Sequence, residues 1–263
     1  ERVARASEGC PLRQLQTRVK VLPPAPRLTL SPGGFDLIAE VKLRSPAAGQ
    51  LKGDGEDIGA RVGLYADAGA AAISVLTEPS RFDGALAHVT QAACALQARI
   101  PVMRKDFLVD PYQVYEARLA GAGGVLVILR MLSRAQIEAL LEAAAQLGLF
   151  ALLEAFDELD LKQAAELVQA FGDRVALLVG VNCRDLVTLK VVPGRLEALA
   201  ALLPRSVPRV AESGVASGAD AARLVAVGYN VALVGSALMQ TGEPLQLARA
   251  LLAAGRAAAR PQL

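Results

Sequence analysis

The stretch PVMRKDFLVDPYQVYEARLAGAGGVLVIL, residues 101–129, decides the fold. Its opening, with Ile100 before it, is a short apolar run, IPVMRK (100–105), and its end is a second one, GVLVIL (124–129). Short continuous apolar runs fit parallel strands buried on both faces. Between them lie a polar loop, an amphipathic stretch and a glycine-rich break, so the whole reads as one strand–helix–strand unit. Where the first strand stops stand Arg104, Lys105 and Asp106, three charges without a gap. Strand neighbours alternate faces, so Lys105 points away from both Arg104 and Asp106.

The same rhythm runs through the chain from residue 37. Further strand-like runs are LIAEVK (37–42), AAISVL (71–76), FALLEA (150–155), ALLVGVN (176–182), PRVAES (208–213) and VALVGS (231–236), which makes eight with the two above. Helical patterns such as 57–69, 133–148 and 217–228 lie between them, with Ser133 and Ser217 where N-caps belong and Gly69, Gly148 and Gly228 where helices stop. Eight consecutive βα units predict a single α/β domain, a (β/α)8 TIM barrel over residues 37–263. An open doubly wound sheet would carry a glycine fingerprint after its first strand, and KLRSPAAG stands there instead. Residues 1–36 fall outside the repeat and read as an N-terminal extension packed on the barrel mouth, helix-prone at first and then broken by VLPPAPRLTLSPGG.

Composition narrows the function. Net charge is +2, from 28 basic and 26 acidic residues, and there is no Trp, so neither a nucleic-acid nor a membrane partner is expected. No apolar run approaches a membrane span. Cys10, Cys94 and Cys183 form no CxxC, which favours a reducing, cytoplasmic setting. The single His88 has no partner for a His-based metal site and reads as a helix-face residue near the surface, and no cofactor or metal is expected. The chain begins at Glu1 rather than Met, and residues 1–27 hold six basic and two acidic residues, which a solvated helix explains better than the remnant of a targeting segment.

In such barrels chemistry sits at the C-terminal ends of the strands. The polar residues ending these strands are Glu40 and Lys42, Lys105, Glu154, Asn182 (with Arg184 and Asp185 beyond), Glu212-Ser213-Gly214 and Gly235-Ser236. One charge at a strand end is usually solvated or paired. Two lysines and three carboxylates at one mouth point to acid–base chemistry, with a lysine made a better donor by a nearby cation and partial burial. Asp106 and Asp185 read as loop-orienting partners of arginines. The glycines after strands 7 and 8 let backbone N–H groups approach an anion, where phosphate sites of these barrels commonly lie. The reading from residues alone is a barrel enzyme acting on a small phosphorylated molecule.

The segments IAEVKLRSP, SVLTEPSRFDG, PVMRKDFLVDPYQVYEAR, LLEAF, GVNCRDL, VAESGV and LVGSALM stand in the order and spacing of the indole-3-glycerol phosphate synthase family, which the chain resembles over about residues 36–240. The resemblance implies a cofactor-free and metal-free ring closure in tryptophan synthesis. The substrate would be 1-(2-carboxyphenylamino)-1-deoxyribulose 5-phosphate, and the products indole-3-glycerol phosphate, carbon dioxide and water. It implies a catalytic set of Lys105 as general acid, Lys42 on the anthranilate carboxylate, Glu154 as partner acid/base, and Glu40, Asn182, Glu212 and Ser213 as the polar residues around them. It further implies a phosphate cradle of Ser45, Gly214, Gly235 and Ser236, and a wall around the anthranilate ring of Phe82, Phe107, Arg184, Leu186 and Leu233. Other tryptophan-pathway enzymes are the partners it suggests.

Three positions depart from the frequent family pattern. Ala47 replaces a second serine after strand 1, which implies weaker substrate binding rather than altered chemistry. Phe156 stands where histidine is frequent, and Cys183 replaces an asparagine and is expected to face away from the pocket. Two other readings compete: a phosphoribosyl isomerase, which would want a Cys or Asp acid–base pair, and a catalytically silent paralogue that binds a phosphorylated metabolite.

Overall fold

Alternation along each short run decides which side chains enter the barrel. A computed structural model describes residues 2–32, 34–46, 49–51 and 55–259. Its strands β1 (Asp36–Val41), β2 (Ala72–Leu76), β3 (Val102–Lys105), β4 (Gly124–Ile128), β5 (Phe150–Ala155), β6 (Leu177–Asn182), β7 (Arg209–Glu212) and β8 (Val231–Val234) form a closed parallel barrel. The ring closes by pairing β1 with β8, from Asp36 opposite Val231 to Ala39 opposite Val234. The third strand starts at Val102 rather than Ile100, because Pro101 has no N–H for the ladder and offers only its carbonyl, to Ile73 at 3.0 Å.

Inward positions make one apolar cluster, with Ile38, Met103, Leu126, Leu152, Leu178 and Val231 filling the barrel below the mouth. Outward positions such as Leu37, Ile73, Val125, Leu153 and Val179 join the larger cluster under the helices. Those helices include α3 (Ile58–Ala68), α4 (Pro79–Phe82), α5 (Leu86–Leu96), α6 (Pro111–Leu119), α7 (Arg134–Leu147), α8 (Glu158–Phe171), α9 (Arg195–Ala200), α10 (Gly218–Ala226), α11 (Ser236–Gln240) and α12 (Pro244–Ala259). Ser133 and Ser217 cap α7 and α10 as expected, and Gly69 and Gly148 end α3 and α7 in the left-handed region. His88 accepts a hydrogen bond from the Ala85 N–H at 3.3 Å through Nδ1, a local role at the start of α5.

The N-terminal segment forms α1 (Arg2–Gly9) and α2 (Leu12–Val19). Only α1 reaches the rim of the mouth. The Tyr112 hydroxyl at the start of α6 lies within reach of the Ala6 and Cys10 carbonyls, at 3.1 and 2.9 Å. The chain then follows α6 downward until Arg118 meets the Pro23 carbonyl. Pro26 passes so close to Gly123, just before β4, that a Cβ there would stand 2.5 Å from its oxygen. Leu28 and Leu30 pack on the barrel's inner cluster. The segment therefore runs down the flank and across the closed end, because its leucines find apolar surface there.

Candidate active site

The uppermost inward positions are charged where those below are apolar. Glu40 on β1 and Lys42 just beyond it, Lys105 on β3, Glu154 on β5, Asn182 on β6 and Glu212 on β7 all point to the same space. Lys105 Nζ lies 3.3 Å from Glu154 Oε1 and 3.6 Å from Glu212 Oε2. Lys42 Nζ lies 2.8 Å from Glu40 Oε1. Asn182 donates through Nδ2 to Glu154 Oε1 at 2.8 Å, while its Oδ1 accepts from the Ser213 hydroxyl and the Arg184 N–H, each at 2.9 Å. Asn182 thus fixes the carboxylate beside Lys105 and the loop after its own strand together.

Both lysine side chains are 13% exposed, and the three glutamates 3% or less. Burial alone would lower the proton affinity of Lys105, but Glu154, Glu212 and Glu40 outweigh it and hold the ammonium above its ordinary range. This corrects the expectation of a lysine weakened by a neighbouring cation: its neighbours are carboxylates. Burial, then the charge of Glu154, pushes Glu212 well above the usual carboxylate range, against the pull of Lys105. Glu212 thus holds its proton more tightly than a free glutamate does.

Several buried polar atoms at this floor have no hydrogen-bond partner among the described residues: Glu40 Oε2, both oxygens of Glu212 and the Ser74 hydroxyl. Such atoms are rare in finished interiors, and those of Glu40 and Glu212 line an open space, with Ser74 buried below it. That space is a cavity of about 570 Å³, within the size range of small-molecule pockets. Every candidate residue named from the sequence lines it.

The cavity has two unlike sides. On one, Ser45, Gly214, Gly235 and Ser236 converge from the loops after β1, β7 and β8. Ser213 and Gly214 are consecutive left-handed residues, φ 68° and 70°, which turn the chain sharply at the end of β7. A serine pays about 1–2 kcal/mol for that conformation, and its hydroxyl on Asn182 is the return. A Cβ on Gly214 would meet Cys183 Sγ at 3.1 Å. Cys183 belongs to the outer apolar cluster and does not line the cavity. Phe82 and Phe107, from the segments after β2 and β3, bring apolar surface to the other side, and Leu186, Leu233, Ile128 and Met131 also line the cavity. Arg184 bonds the Leu189 carbonyl at 2.8 Å and holds its loop against this wall. Ala47 lies outside the described residues.

Arg104 and Asp106 turn away from Lys105. Buried Arg104 reaches Asp106, Thr77 and the Gln113 carbonyl, and Asp185 accepts from the Val187 and Thr188 N–H groups. Sequence reasoning missed Leu76, Ile128 and Met131, whose apolar character marks strand ends no differently from core. It missed Gly235's second purpose too: a Cβ there would stand 2.3 Å from Glu40 Oε1 and 3.0 Å from Lys42 Nζ. Phe156 is buried beneath Arg130, whose guanidinium carbon lies 4.6 Å from the ring centre.

A closed eight-stranded barrel with lysines set among carboxylates, an anion cradle and an apolar wall defines a class: barrel enzymes that move protons on a small phosphorylated molecule. The chain belongs to the indole-3-glycerol phosphate synthase family, whose model matches residues 1–251. It is 43% identical over 219 residues to the indole-3-glycerol phosphate synthase of Parafrankia sp. (strain EAN1pec), covering 83% of this chain and 78% of that one. A stretch of the multifunctional tryptophan biosynthesis protein of Schizosaccharomyces pombe is 41% identical over 219 residues, 82% of this chain and 28% of that longer protein. A crystal structure of 3-hexulose-6-phosphate synthase shares the fold, with TM-score 0.63 at 20% identity over 84% of this chain and 99% of that one. The protein is thus an enzyme, a decarboxylating lyase of tryptophan biosynthesis.

Proposed function

We propose that this cavity closes the indole ring on 1-(2-carboxyphenylamino)-1-deoxyribulose 5-phosphate with Lys105 as its principal proton donor. The observation that carries the assignment is Lys105 itself, a buried ammonium between Glu154 and Glu212 at the floor between cradle and wall. The substrate's phosphate would lie on Ser45, Gly214, Gly235 and Ser236, and its ring against Phe82, Phe107, Leu186 and Leu233. Lys42 then meets the ring carboxylate.

The overall change forms one carbon–carbon bond and expels carbon dioxide and water. As the ring carbon bearing the carboxylate attacks the ketone carbon, the ketone oxygen gains electrons and takes a proton from Lys105. Loss of carbon dioxide returns the bonding pair to the ring. The new hydroxyl then leaves as water, which needs a second proton on that oxygen and removal of one from the adjacent carbon. Glu154, 3.3 Å from Lys105, would exchange protons with it, and Glu212, 3.6 Å from Lys105, would stand behind both. Ser213 and Asn182 would orient the sugar hydroxyls and Glu154.

Residues 1–36 would serve as an extension to a barrel domain spanning 37–263, and the cytoplasm would be the site of action. Among the described residues no helix is long and apolar enough to cross a membrane. The multifunctional relative supports other tryptophan-pathway enzymes as partners. The test is turnover of this substrate, with chelator present, followed by indole fluorescence against a chain that has no Trp. Lys105→Ala should lower kcat at least about a hundredfold with binding retained. Near-normal turnover by that variant would remove Lys105 from the role.

A further inference from the structure

Asp106 lies between two residues that face the cavity, Lys105 before it and Phe107 after it. Its own carboxylate points the other way and is fully buried. Four donors converge on it: the Thr77 hydroxyl at 2.7 Å, Arg104 Nη2 at 2.9 Å, the Phe107 N–H at 2.9 Å and Arg2 Nη2 at 2.8 Å. Thr77 follows the end of β2, and its N–H bonds the Lys105 carbonyl at 3.1 Å. The carboxylate thus ties together the ends of two barrel strands, the loop leading to α6, and α1.

Arg2 is the one donor from outside the barrel. Its helix buries none of its side chains. Val3 and Ala6 of α1 pack partly on the core, and between the helix and the rim lies a hollow of about 270 Å³ lined by both, with Pro79 and Leu86 among others. Polar contacts add to this partial packing, through Arg2 to Asp106 and through Tyr112 to the Ala6 and Cys10 carbonyls.

We propose that Arg2 is a positioning residue for catalysis: by completing the set of donors on Asp106, it fixes the strand end that aims Lys105 and Phe107 into the cavity. The proposal rests on the role given to Lys105. Arg2 is 47% exposed and lines no part of the cavity, so it acts only through Asp106. Losing one of four donors leaves the carboxylate buried and charged, held by three donors and less firmly fixed. A displacement of a fraction of an ångström at Lys105 is then enough to slow proton transfer, since about 1 Å of misplacement can cost a hundredfold.

The experiment compares Arg2→Ala, Arg2→Lys, Asp106→Asn and the Arg2→Ala/Asp106→Asn double variant of the whole chain, at a temperature where each is folded. Arg2→Ala should lower kcat about three- to tenfold, and Arg2→Lys should recover most of that loss. In the Asp106→Asn background Arg2→Ala should cost nothing further, because its route to the site is already cut. An Arg2→Ala enzyme with a lower melting temperature but unchanged kcat would reduce the contact to a structural one and overturn the proposal. So would an undiminished loss in the Asp106→Asn background. Arg2→Ala and Arg2→Lys decide the matter alone if Asp106→Asn does not fold. Lys105→Ala serves as the control: if it keeps turnover, the role of Lys105 itself fails; if it is inactive while Arg2→Ala is silent, only the role of Arg2 fails.

Discussion

Gly180 sits in the middle of β6, in LLVGVN, where any small apolar residue would serve a strand. Its value lies in what it leaves empty. A Cβ at this position would stand 2.3 Å from Glu212 Oε1 and 3.1 Å from Leu152 Cδ1. Contacts under 3.0 Å are not tolerated, so in Gly180→Ala the carboxyl must retreat by about 0.7 Å or more. Glu212 Oε2 begins 3.6 Å from Lys105 Nζ, and that retreat alters the field on the lysine and the path of its proton. A shift approaching 1 Å in a catalytic constellation costs up to about a hundredfold, so kcat should fall roughly ten- to a hundredfold. Overpacking against Leu152 should cost about 1–3 kcal/mol of stability, which lowers the melting temperature on the order of 2–10 °C. The assay is indole fluorescence at saturating substrate, with melting followed by circular dichroism. Wild-type kcat in a variant whose melting temperature has dropped would refute the reasoning, because the methyl group would be present and the position of Glu212 irrelevant.

Two further outcomes are expected. Glu212 binds its proton more tightly folded than unfolded, so it detracts from stability as pH rises from about 4.5, the unfolded value, toward its folded one. Gln mimics the protonated form, so Glu212→Gln should match wild type in melting temperature near pH 4 and exceed it increasingly toward pH 7. A deficit that grows with pH would mean that Glu212 is ionised and stabilises through Lys105. Ser236→Ala should raise KM with little change in kcat, as expected for uniform binding of a phosphate at the start of α11; an effect confined to kcat in steady-state kinetics would count against that placement.

The barrel was legible because its signals are local. Eight apolar runs, each the length of a strand, and serine and glycine at helix ends recur at the spacing of βα units, and no distant contact is needed to see them. The charged row at the mouth was legible for a related reason: a barrel brings the ends of all its strands together, so polar strand ends are neighbours whatever their separation in sequence. What could not be read were the consequences of neighbours in space. Lys105 has raised rather than lowered proton affinity because Glu154, Glu212 and Glu40 surround it. Gly180 and Gly235 look like ordinary strand residues until the carboxylates they make room for are seen. The path of residues 20–35 had no periodicity to follow, and Leu28 and Leu30 reveal their purpose only against the closed end of the barrel.

The pairing of β1 with β8 joins the first strand of the barrel to its last, and the seam runs directly under the site. Glu40 comes from one side of it, and Gly235, which leaves room for that carboxylate, from the other. Lys105 precedes the midpoint of the barrel sequence, while Glu154, Asn182 and Glu212 follow it. Neither half of the barrel therefore carries the whole charged row. During synthesis no complete site exists until the last strand emerges and pairs with the first, so activity reports that the circle has shut.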